Sequence, residues 1–334
     1  MKLAASRFRN TASRLAYLTL CGIVVFAGCS NHTRNNPFDP QGTNWSPWTA
    51  CNSGLPQNIY DLSFAVSGRN LFAGTFGGGV YLSTDDGASW TPVNNGFPSS
   101  ANVWALAVSG TNLFAGTGGY GVYFSTNNGT SWTPVNNGLT DSSDTYVYAL
   151  AASGTNLFAG TYNGLFLSTN NGTSWTEADS GLTETDILSL VVSGTNLFAG
   201  TYGGGVFLST NNGTSWTAVN NGLTDSYIYS LAASGTNLFA GTYDGLFLST
   251  NNGSSWIAVD NGLTDSYFYA LAVSGTNLFA GTYGGGVFLS TNNGTSWIEV
   301  NNRMPVSSTV YALAVSGTNL FAGTYEGIFK TLLP

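Results

Sequence analysis

Tyrosines and carboxylates are the side chains of this 334-residue chain whose number and spacing could do chemistry. Phe76, Tyr120, Tyr162, Tyr202, Tyr243, Tyr283 and Tyr325 each follow shortly after a recurring Phe-Ala-Gly-Thr. A second aromatic set, Trp104, Tyr146, Tyr227 and Tyr267, falls in the same stretches as the acids Asp141, Asp144, Glu184, Asp186, Asp225 and Asp265. Rings with a polar tip beside carboxylates suit the binding of sugars or protein loops. Neighbouring acids such as Glu184 and Asp186 also raise glycoside hydrolysis, which needs two carboxyl groups about 5 to 9.5 Å apart, one with a raised pKa. The opposing expectation is that the rings fill space between repeated units and that the acids are merely solvated.

Other chemistries lack their residues. His32 is the only histidine, so no serine or cysteine nucleophile has the usual base, and zinc loses its commonest ligand. The expectation is no catalytic triad, no metal and no cofactor. Gly116-Thr117-Gly118-Gly119-Tyr120-Gly121 matches the dinucleotide fingerprint G-x-G-x-x-G, but Val122-Tyr123-Phe124-Ser125 then reads as a strand, where pyrophosphate binding requires a helix N-terminus.

The elements that must position the aromatic sets are legible from a repeat. Leu-Phe-Ala-Gly-Thr starts at Leu71, Leu113, Leu157, Leu197, Leu238, Leu278 and Leu320, at steps of 40 to 44 residues. That period is the signature of β-propeller blades, each a four-stranded sheet that needs neighbours to bury its faces. Within one unit, 267–274, 277–282, 286–291 and 296–300 are strand-length runs separated by Gly- and Asn-rich turns. The first run carries Ala270, Ala272 and Ser274, small residues suited to the crowded strand nearest the axis. The seventh unit ends after three runs, at Pro334, and the missing piece lies at the front: Trp48-Thr49-Ala50-Cys51-Asn52-Ser53-Gly54-Leu55 matches Trp132 to Leu139. The predicted fold is an all-β, seven-bladed propeller of four-stranded antiparallel blades, its last blade closed by the N-terminal strand, so that no sheet edge is left at the seam.

The third turn of each unit carries the most specific motif. Ser83-Thr84-Asp85-Asp86-Gly87-Ala88-Ser89-Trp90 recurs near-identically from Ser125, Ser168, Ser209, Ser249 and Ser290. It resembles the Asp-box, S-x-D-x-G-x-x-W, of BNR-like propellers, a family that includes sialidases, sortilin-type receptors and photosystem II assembly factors; the last group is nearest in having a bare seven-bladed ring. The resemblance implies a structural role for Asp85, Asn127, Asn170, Asn211, Asn251 and Asn292, which accept turn hydrogen bonds, and for Trp90, Trp132, Trp175, Trp216, Trp256 and Trp297, which offer buried faces. Asn replaces Asp in five of the six copies, which removes the charge a calcium ion would require. Sialidases clamp their substrate with three arginines, whereas Arg69 and Arg303 are the only two in the repeats.

Ahead of the repeats, Lys2, Arg7, Arg9 and Arg14 precede an apolar run from Leu15 to Ala27, the pattern of an export signal. Val25-Phe26-Ala27-Gly28-Cys29-Ser30 resembles a bacterial lipobox, with Phe26 where Leu is usual, and the resemblance implies lipidation of Cys29. The expected organisation is therefore a lipoprotein signal peptide over 1–28, a flexible tether over 29–44 and the propeller over 45–334. From residue 45 onward three basic residues face fifteen acidic ones, a net charge of −12 that disfavours nucleic acid and anionic lipid as partners. These features predict a lipid-anchored monomeric ring on the exported side of a bacterial cell envelope, at the outer membrane or cell surface rather than the inner membrane. Its expected role is a non-catalytic scaffold that binds a protein or glycan through the aromatic side of the ring. Phe76, Tyr120, Tyr162, Tyr202, Tyr243, Tyr283, Tyr325, Asp225 and Asp265 are the residues expected to carry binding. The alternative is a lectin or glycoside hydrolase using carboxylates of that same side.

Overall fold

A computed structural model of the protein describes residues 45–56, 61–263 and 267–333. Seven four-stranded antiparallel sheets follow one another as the blades of a propeller. Blades 1 to 6 span 61–92, 103–134, 147–177, 187–218, 228–258 and 268–299, each with its strands in sequence order. Blade 7 is built from Val310–Ser316, Asn319–Thr324 and Gly327–Leu332, and its outer strand is Thr49–Ala50, paired Thr49↔Lys330 and Ala50↔Phe329. The seam predicted from the truncated last repeat is thus present. The first strands of adjacent blades lie against one another all round the ring, blade 7 against blade 1 included, which places the small-residue strands at the axis.

Two sequence features hold neighbouring blades together. The glycine of Phe-Ala-Gly-Thr is the seat for the next blade: a Cβ on Gly116 would lie 2.6 Å from Val147 Cγ1, and Val147 is fully buried. The motif tryptophans staple each blade to the one before it. The indole N–H groups of Trp48, Trp90, Trp132, Trp175, Trp216, Trp256 and Trp297 donate to the carbonyls of Val300, Cys51, Val93, Val135, Ala178, Val219 and Val259, at 2.5 to 2.8 Å. Satisfying the one polar atom of a large buried ring lets its apolar area count fully toward stability. Trp48 makes the same bond as the other six, so the seam is built like any other blade interface.

The outer strands are shorter than the sequence pattern suggested. In blade 6 the fourth strand is only Ile298–Glu299, where the apolar run extends over 296–300, although the Val300 amide still donates to the Val287 carbonyl at 3.0 Å.

Candidate binding face

Each unit alternates direction, so the turns between second and third strands and the connections into new blades share one side of the ring. The other side carries the turns between first and second strands and the Ser-x-Asn-x-Gly-x-x-Trp turns. The aromatic set therefore lies on a single side, and its platform is fixed from below. The Thr that ends each second strand is fully buried, and its hydroxyl donates to a carbonyl three or four residues on, as in Thr117 to Gly121 at 2.7 Å. From the outer edge, Asn94, Asn136, Asn220 and Asn301 accept a bond at 2.7 Å from the third-strand amides of Val80, Val122, Val206 and Val287, respectively, and donate to a carbonyl of the turn. Turn and edge are thus cross-linked in four blades by one amide side chain. These asparagines follow the outer strand at a constant spacing, a signal present in the sequence beyond their turn chemistry.

On this platform Phe76, Tyr120, Tyr243, Tyr283 and Tyr325 are exposed, between 40% and 54% of their full surface. Tyr162 and Tyr202 are half-buried. Tyr146 and Tyr227 from the connections are exposed too, and Trp104 and Tyr267 are partly covered. The rings meet edge to face: Tyr202 with Tyr227 at 4.7 Å and Tyr243 with Tyr267 at 4.4 Å between centroids, with Tyr267 also 5.5 Å from Tyr283. Neither sequence expectation covers this arrangement alone. The rings pack on one another, yet they do so on the surface.

An inner circle was missed by the sequence reading. In every blade the register of the first strand shifts by one residue near its start, so that one residue is left over. Such a bulge turns a side chain out of the ladder. In five blades the extra residue is aromatic: Trp104, Tyr148, Tyr229, Tyr269 and Tyr311. Trp104 stacks on Tyr148 at 5.1 Å; Tyr229 meets Tyr269 at 5.4 Å, and Tyr269 stacks on Tyr311 at 6.0 Å. The strands involved are the innermost, so these rings form two arcs round the axis, interrupted by Leu188 in blade 4. Burial and then the neighbouring phenols push the Tyr229 and Tyr269 hydroxyls up from their ordinary pKa, which keeps them neutral hydrogen-bond donors. An aromatic recurring second in five of the seven first strands is the available signal, but the alternation rule assigns it to a blade face.

The carboxylates are less available than the sequence suggested. Asp144 and Asp186 are buried, where an exposed loop was expected, and Glu184 is half-buried. Asp144 accepts from the Asp141 amide at 2.9 Å and the Asn163 side chain at 3.1 Å. Asp225 accepts from the amides of Tyr227 and Asp244, both at 3.0 Å. These two acids clasp a connection to the adjacent turn. Asp265 lies outside the described residues, as does Cys29. Among the described residues no three His, Cys, Asp or Glu side chains group as metal ligands.

The opposite side is closed by contrast. In blade 2, Asn127 Oδ1 accepts from the Ser125 hydroxyl and the Ser131 amide, Nδ2 donates to Ser131 Oγ, and the Gly129 amide donates to Ser125 Oγ, all at 2.9 Å. The turns at Asn170, Asn211, Asn251 and Asn292 repeat this pattern. At Asp85 one bond reverses, the Ser89 hydroxyl donating to Oδ2 at 2.6 Å, and bonds from Ser89 and Ser83 hold the carboxyl down at about 2. The residue before the motif glycine also takes a left-handed backbone, with φ between 54° and 57°, which Asn tolerates better than most residues.

Comparison with known proteins agrees with this architecture. The extracellular domain of BT4673 from B. thetaiotaomicron is similar with a TM-score of 0.72 at 18% identity over 86% of this chain, which spans 40% of that one. YCF48 bound to D1 peptide gives 0.71 at 15% identity, covering 87% of this chain and 98% of that one. The GH74 enzyme of Niastella koreensis gives 0.60 at 18% identity, covering 82% and 43%. At these identities the likeness is one of fold. No curated protein matches the sequence. The sequence matches the DUF6242 beta propeller domain over residues 39–193 and 142–269, together more than half of the chain, which therefore belongs to that family.

Proposed function

We propose that the protein is a lipid-anchored propeller of the bacterial cell envelope that acts as a non-catalytic, monomeric binding scaffold through its tyrosine-bearing face. The observation that carries this reading is the concentration of exposed rings on one side of the ring, held on turns that are cross-linked beneath them. Surface tyrosines supply large contact area at low entropic cost, the property that makes them common in recognition surfaces. Asp144 and Asp225 fit a positioning role, since their oxygens hold backbone and amide groups of the face itself. Two similar folds support binding of protein at an exported location, one solved with a peptide and one an extracellular domain. The anchor rests on the sequence, in which a basic stretch, an apolar run and Ala27-Gly28-Cys29 occur in that order.

Capture from an envelope extract with the full chain as bait tests the reading. Tyr202→Ala, Tyr243→Ala and Tyr283→Ala combined should release the captured partner while the circular dichroism spectrum is kept. Retention of the partner by the folded triple variant would move the binding surface elsewhere. Fatty-acid labelling should vanish in Cys29→Ala, and labelling that persists there would refute the anchor.

A further inference from the structure

We infer that the tyrosine face of blades 5 to 7 takes an extended, lysine- or arginine-bearing polypeptide segment, laid across the mouth of the ring with its cationic side chains between exposed tyrosines and acids. The inference rests on the reading of this face as the binding surface and adds the chemistry of its occupant. Three observations carry it. First, two of the turns in this sector place an exposed acid directly after an exposed tyrosine: Tyr243-Asp244 in blade 5 and Tyr325-Glu326 in blade 7, on either side of exposed Tyr283 in blade 6. A ring face and a carboxylate carried on the same turn are the two groups that attract an ammonium or guanidinium ion, and desolvation strengthens both contacts.

Second, no base competes for those acids on the turns that bear them. The seven turns between second and third strands contain no Lys or Arg. Of the three basic residues, Arg69 lies in a turn on the opposite side, Lys330 donates to the Asp86 carbonyl at 2.7 Å, and Arg303 lies in the connection into blade 7, beside Asn302, whose carbonyl accepts from the Trp48 amide. With fifteen acids against three bases, the ring as a whole attracts cations.

Third, the spacing fits an extended chain. The inner rings Tyr229, Tyr269 and Tyr311 of successive blades stand 5.4 and 6.0 Å apart. Alternate side chains of an extended strand are about 6.6 Å apart, so residues i, i+2 and i+4 of one segment can address three blades in turn.

Isothermal titration of the full chain with three synthetic dodecapeptides, alternating Thr with Lys, Gln or Glu, and with a cello-oligosaccharide tests the inference. The Lys peptide should bind, weaken at least about fivefold between 50 and 300 mM salt, and lose at least about tenfold in affinity for Asp244→Lys/Glu326→Lys, with an unchanged melting curve. The Glu peptide should not bind. If the Gln peptide or the oligosaccharide binds as well as the Lys peptide, or the charge-reversed variant binds the Lys peptide normally, the cationic assignment is overturned. Absence of Lys-peptide binding overturns it too. Envelope capture by the tyrosine triple variant is read in parallel: a partner lost there while the Lys peptide fails to bind leaves the face standing with a different occupant, and a partner retained removes the face itself.

Discussion

The two sides of the ring come from the same repeat and use it differently. On the side of the Ser-x-Asn-x-Gly-x-x-Trp turns, polar groups are consumed inside each turn, and five copies share one set of hydrogen bonds. On the tyrosine side only the base of each turn is constant, namely the buried threonine, and the tips differ: Tyr-Asn-Gly, Tyr-Asp-Gly, Tyr-Glu-Gly, Tyr-Gly-Gly-Gly and Gly-Gly-Tyr-Gly. A turn that closes on itself stabilises its blade and has little left to offer a partner. A turn locked at its base and free at its tip can vary without cost to the fold, which is where recognition can be written.

The sharpest way to break this contrast is at the seam, which both sides share. Trp48→Ala removes a buried indole and its bond to Val300 and should cost about 3 to 5 kcal/mol, read as a large fall in melting temperature, whereas deleting residues 1–44 should leave the melt nearly unchanged. Equal effects would mean that the seam is not closed by this strand. Next comes the face itself: the tyrosine triple variant should lose at least about 2 kcal/mol of partner affinity if these rings are hot spots, with a smaller loss of fold stability from the broken ring pairs. Should the variant unfold instead, the rings belong to the core and the division between sides fails. On the closed side, Asn211→Ala and Asn251→Ala should each cost about 0.5 to 2 kcal/mol in denaturant titration and leave binding untouched.

The smallest effect sharpens the comparison within the closed side. Asp85 has its carboxyl lowered from 3.8 to about 2 by bonds from Ser89 and Ser83. A lowered folded-state value means that the ionised form is favoured in the native turn. Its contribution is therefore present above the ordinary value and is lost as pH falls from near 4 through about 2. Asp85 is exposed, so solvent screening keeps the effect slight. Asp85→Asn, which copies the other five turns, should flatten this acid limb of the melting curve; an unchanged limb would place the titration elsewhere.

Blade number, strand order and the closure by Thr49–Ala50 were all legible in the chain, because a propeller repeats one local pattern and each blade contacts only its neighbours. The turn motif and the sidedness of the aromatic set were legible for the same reason, as strand direction follows from counting. The inner arcs of Trp104, Tyr148, Tyr229, Tyr269 and Tyr311 were not. A one-residue bulge reverses the alternation on which any reading of strand faces depends, and the residues it exposes meet only because blades some 40 residues apart in sequence converge on the axis. The burial of Asp144 and Asp186 was hidden likewise, since charged loop residues read as solvated until a neighbouring turn folds over them. Local periodicity determines the scaffold of this protein; convergence at the axis decides which side chains gather at the mouth of the ring.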